Sequence, residues 1–162
     1  MQGGGRNSEI FQEIPVTEFL MRLFSIRSVY RGMRRLIPYG VTFLVFIAMD
    51  AVWLTLTVHM YRAALGPLLS PTTRLVPAIA FYLLQVLGIQ IFVLPRAVST
   101  PGALAFGALF GLFTYATYDL TNWAVLKDWS GSITVMDICW GAVVTAFASL
   151  AGYLVQKRLP AR

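Results

Sequence analysis

One cysteine and one histidine in 162 residues exclude several kinds of chemistry at the outset. Cys139 has no partner, so no disulfide forms within the chain and the redox compartment stays open. With His59 the only imidazole, there is no Cys/His cluster at metal-ligand spacing, and a metal site would need carboxylates instead. No Ser/His pair or metal-ligand set accompanies the acids, which leaves acid-based hydrolysis as the weakest reading. No metal and no cofactor is expected. Charge is scarce too, at 12% of residues against 57% hydrophobic. It is absent from long stretches: between Arg74 and Arg96, Arg96 and Asp119, and Asp137 and Lys157, each interval is mostly apolar. Runs of ~20 apolar residues match the ~30 Å hydrocarbon core of a bilayer at ~1.5 Å rise per residue. What is present is therefore an integral membrane protein.

The formal charge of +6 does not point to nucleic acid. Most of the excess lies at Arg22, Arg27, Arg31, Arg34, Arg35, Lys157 and Arg158, flanking the hydrophobic block. Basic residues in such places set topology and meet lipid headgroups. The lipid bilayer, with bound lipids, is the first expected partner.

Taken in order, the chain predicts a flexible tail over residues 1–16 and a basic amphipathic helix over 17–37, with Thr17 as its N-cap. Phe19, Leu23, Ile26, Tyr30, Met33 and Ile37 form one stripe, with Arg27, Arg31, Arg34 and Arg35 to one side. Such a helix suits the membrane interface or a protein partner. A cleaved targeting peptide is the rival reading, and Glu9, Glu13 and Glu18 count against it. A four-helix transmembrane domain follows over 38–156, with spans at about 38–59, 75–95, 102–126 and 132–155, and then a basic tail over 157–162. Pro77 and Pro101 fall in first turns, where a missing amide donor costs little. Four spans put both termini on one side, and most Lys and Arg collect there. The expectation is a cytoplasmic or matrix face, in a bacterial or mitochondrial inner membrane.

The stretch that organises the chain is Gly102 to Leu126, which is long enough to span yet carries Tyr115, Tyr118, Asp119 and Asn122. Asp50, Asp119 and Asp137 are each followed at i+3 by a hydrogen-bond donor, Trp53, Asn122 and Trp140. The helical rise puts the acids ~18, ~25 and ~27 Å from the inner face, so they can meet in the outer half of the bundle. An aspartate at the centre of a span costs roughly 2.5–3.5 kcal/mol on insertion scales, and no Lys or Arg lies within the spans to pair it. Hydrogen bonds from Trp53, Trp140, Asn122, Tyr115, Tyr118 and Thr117 are the expected compensation, with at least one acid neutral at pH 7. Two readings stay open: a proton, cation or ligand site, and a hydrogen-bonded network that only fixes helix register. Gly107 and Gly111, and separately Gly141, Thr145 and Ser149, form small-residue ridges expected to pack helices. His59 reads as interfacial and Cys139 as a small apolar filler.

The runs Asp50-Ala-Val-Trp-Leu54, Phe110-Gly-Leu-Phe-Thr-Tyr-Ala-Thr-Tyr-Asp-Leu-Thr-Asn122 and Asp137-Ile-Cys-Trp-Gly141 carry a family resemblance. The chain resembles, over about Ile37 to Leu154, the four-helix membrane proteins of domain of unknown function twenty-one seventy-seven. The resemblance implies the four-span fold and the choice of Asp50, Asp119, Asn122, Asp137 and Trp140, and it brings no activity. The segment before Pro38 departs from that pattern and suits docking onto a neighbouring subunit or membrane surface. The sequence therefore predicts a non-enzymatic accessory subunit of a larger membrane complex, with protein partners. The alternative is a small transporter or proton- or ligand-handling protein using the buried aspartates.

Overall fold

The computed structural model of the chain describes residues 26–159, with side-chain surroundings from Leu36 onward. The tail expected over 1–16, the first part of the helix expected over 17–37, and the side chains of Arg27, Arg31, Arg34 and Arg35 lie outside the described residues. Helix α1 is Ile26–Leu65, followed by a 3-10 turn at Gly66–Leu68. Helix α2 is Leu75–Gly88 and continues as a π-helical turn, Ile89–Val93. Helices α3 and α4 are Thr100–Val125 and Gly131–Arg158. There is no strand among the described residues. Four stretches are long and apolar enough to cross a membrane: Leu36–Leu65, Leu75–Val93, Thr100–Val125 and Gly131–Arg158. The protein is an all-α, polytopic membrane protein, and residues Arg35–Arg162 form the compact unit described below.

The helix ends follow from local chemistry. Ser99 caps α3 by accepting the Gly102 amide at 3.1 Å, with Pro101 in the first turn. Ser130 caps α4 by accepting the Ile133 amide at 3.3 Å. Asp128 takes φ 63°, the left-handed conformation that lets five residues reverse the chain between α3 and α4. The first span departs from the expected 38–59. Helix α1 runs past His59 to Leu65 because nothing in His-Met-Tyr-Arg-Ala-Ala-Leu breaks it; Gly66-Pro67 does. Pro38 lies inside α1 and not at its start, and loses one backbone hydrogen bond, which membrane helices tolerate.

Helices α3 and α4 pack directly on each other through small residues. A Cβ on Gly107 would lie 2.7 Å from the Ser149 hydroxyl and 2.9 Å from the Ala146 backbone. A Cβ on Gly111 would enter the carbonyl oxygen of Gly141, and one on Gly141 would enter the ring of Tyr115. Without side chains at these positions the two backbones approach closely, which is how dispersion holds helices together where lipid removes the hydrophobic drive.

The half of the bundle that holds the start of the first span and the last turns of α4 is closed. Phe46, Val86, Ile89, Val93, Val144 and Ala148 fill it, all at most 2% exposed. The outer faces carry Leu44, Leu75, Val76, Leu84, Phe113 and Val135 toward the surroundings, as lipid contact requires. The other half, between the α1–α2 and α3–α4 connections, is built differently.

Candidate functional site

In that second half the four helices line a partly open cavity of about 610 Å³. Asp50, Trp53 and Tyr61 of α1 line it with Phe81 and Gln85 of α2, Thr114, Tyr115, Tyr118 and Asp119 of α3, and Ile133 and Asp137 of α4. Leu65, Leu69 and Trp129 stand at the end that carries the connections. No lining residue is basic. All three intramembrane aspartates thus reach one space.

Their surroundings differ. Asp50 is 7% exposed and saturated by neighbouring helices, because Tyr82 donates to Oδ2 at 2.6 Å and the Trp140 indole donates to Oδ1 at 2.9 Å. The Trp140 ring stacks on Trp53 with centroids 4.5 Å apart and planes 4° from parallel. Trp53 donates in turn to the Tyr61 hydroxyl at 3.4 Å, and Tyr61 donates to Asp137 Oδ1. Aromatic groups therefore link Asp50 to Asp137 across α1 and α4. Gln85 adds a second strand of polar contacts, donating to Thr114 at 3.1 Å and Thr145 at 3.3 Å.

Asp119 stands apart. It is 1% exposed, and neither carboxyl oxygen accepts a hydrogen bond from a protein donor. Its electrostatic neighbour is the carboxyl of Asp137, which lines the same cavity. Two neighbouring carboxyls in a low-dielectric interior repel strongly unless a proton or a cation offsets their charge.

The donors differ from those the i+3 spacing suggests. Trp53 bonds Tyr61 and not Asp50; Trp140 bonds Asp50 and not Asp137. Thr117 bonds the Phe113 carbonyl, away from any acid. Asn122 is half-buried, interacts with Tyr118, and makes no hydrogen bond to Asp119. Tyr115 is 8% exposed, has Asp50 and Asp137 as electrostatic neighbours, and packs edge-on to Phe81. Tyr118 is exposed on one side and meets Trp129 edge-on at the cavity end. The reason for the differences is geometric: a donor one turn along the same helix leans along its own surface, whereas a donor on a facing helix points across the gap.

Sequence reasoning did not reach Tyr61 or Tyr82, the two hydroxyls that bind acids. A signal existed in each case. Asp50, Trp53, Thr57 and Tyr61 recur at three- and four-residue steps once α1 is extended beyond His59, and Tyr82 and Gln85 share a face of α2. Polar residues on lipid-immersed helices turn inward, so these faces had to be interior.

A bundle of four membrane-spanning helices around a carboxyl-lined, aromatic-walled cavity defines the class: a small polytopic helical membrane protein with an intramembrane polar site. Residues 35–154 match the family described as predicted membrane protein (DUF2177), and the chain belongs to that family. No curated protein and no solved structure matches it.

Proposed function

We propose that this is a ligand- or proton-handling membrane protein whose site is the aspartate-lined cavity. One observation carries the reading: Asp119, buried and without a protein donor, stands in the wall of a space large enough for a small organic molecule. A network serving only to fix helix register would satisfy its own members, as the Asp50 contacts do. Asp50 and Asp137 serve as hydrogen-bonded walls, with Trp53, Trp140, Tyr61 and Tyr82 holding them. The closed half beneath Phe46, Val86 and Val144 makes the site a pocket and not a continuous pore. The charge bias of the chain supports placing both termini on the cytoplasmic or matrix side, with the cavity nearer the opposite face.

The accessory-subunit reading rests on the basic segment before Pro38, and one measurement separates the two. Native mass spectrometry from a lipid-preserving detergent is expected to show the chain carrying a small molecule that Asp119→Asn releases. A chain that travels with a defined set of larger partners and no small molecule would establish the accessory role instead.

A further inference from the structure

We propose that the cavity takes a lipophilic organic cation, a protonated amine or quaternary onium with an apolar body, and that the cation replaces a proton carried by Asp119. The proposal rests on the pocket reading above and names the chemistry of its ligand.

Charge selects the sign. Among the described residues, three carboxyls reach the cavity and no Lys, Arg or His does. An anionic ligand would face carboxyls from three of the four helices with no basic group to offset them, while a cation supplies what the Asp119–Asp137 pair lacks. Size and lining select the class. A bare metal ion needs a tight shell of oxygen ligands, and no group of three His, Cys, Asp or Glu suited to a metal exists among the described residues. About 610 Å³ suits a small organic molecule, and most of its wall is aromatic or aliphatic. Trp53, Tyr61, Phe81, Tyr115, Tyr118 and Trp129 are among the residues that line the space. Aromatic rings attract cations, most strongly where water is excluded. Asp50 is held against the helices by Tyr82 and Trp140, whereas neither oxygen of Asp119 meets a protein donor, which makes Asp119 the carboxyl open to a cation. The exchange balances: one cation enters, one proton leaves the carboxyl pair for water, and the net charge of the site is unchanged.

The test uses the full chain in lipid nanodiscs, with tetraphenylphosphonium as probe and triphenylphosphine oxide as its neutral counterpart. Saturable binding of the phosphonium is expected, with loss of the infrared carbonyl band of a protonated carboxyl on saturation. Asp119→Asn is expected to weaken binding at least tenfold and to remove that band change, while Asp119→Glu retains both. An unchanged melting temperature in each variant excludes simple unfolding as the cause. Equal affinity for the neutral oxide, or phosphonium binding unaffected by Asp119→Asn, overturns the cation assignment. If the chain still carries a small molecule in native mass spectrometry, that result leaves the pocket reading standing. Absence of both the bound molecule and phosphonium binding overturns the two together.

Discussion

Gly111→Ala is expected to destabilise the bundle by about 3 kcal/mol, at the upper end of what an added methyl costs in a packed interior. The added carbon would collide with the backbone carbonyl oxygen of Gly141 and with the Thr145 side chain. A carbonyl cannot rotate out of the way, so α3 and α4 must move apart. Separation would also loosen Gly107 from Ser149 and Ala146, because all four contacts lie along one seam. Gly88→Ala is the control. Its Cβ would meet the tip of the Phe110 ring, the far end of a flexible side chain, and Phe110 is itself only partly buried. A ring that can swing toward lipid should limit the loss to about 1 kcal/mol. Denaturant titration in mixed micelles measures both. Equal losses would mean that the α3–α4 seam yields as readily as a side chain, and that close backbone approach is not what holds the pair.

That seam also shows what a single chain discloses. The four-residue repeats Gly107/Gly111 and Gly141/Thr145/Ser149 are local and visible in the sequence. Which ridge meets which is a property of the bundle. The four spans are legible because charge is missing where lipid would penalise it, and the start of the third because Pro101 acts within its own first turn. The acid contacts are not local. Tyr82 lies 32 residues from the Asp50 it binds, and Trp140 lies 90 residues away. Periodicity places such residues on inward faces but cannot say which inward face they meet. Tyr61 was further obscured by an exit loop drawn at His59, which removed it from the face it shares with Asp50. Asp119 is the reverse case: its position on a glycine-lined helix is plain in the sequence, but that it lacks a donor emerges only when its neighbours are in place.

The second large effect concerns Asp50, where structure and ligand chemistry can be pulled apart. Tyr82→Phe and Trp140→Phe each remove one donor to a carboxyl that is 7% exposed. Hydrogen bonds to charged groups contribute about 1.5–3 kcal/mol, so each single change should cost about 2 kcal/mol and the pair about 4 kcal/mol. Phenylalanine keeps most of the ring stacked on Trp53, so lost packing is a minor part of the second value. The penalty arises from leaving a buried acid without partners, not from losing attraction as such. Adding Asp50→Leu to the double variant should therefore recover most of the stability, because no unsatisfied carboxyl then remains. The order of stability in mixed micelles, single above double with the triple restored, identifies Asp50 as a clamp joining α1 to α2 and α4. A triple variant less stable than the double would show instead that the cavity needs the Asp50 charge to hold its shape. The same variants separate clamp from counter-ion: if Asp119 alone balances a bound cation, the restored triple variant keeps its affinity for tetraphenylphosphonium within a few-fold, since its Asp119–Asp137 pair is untouched.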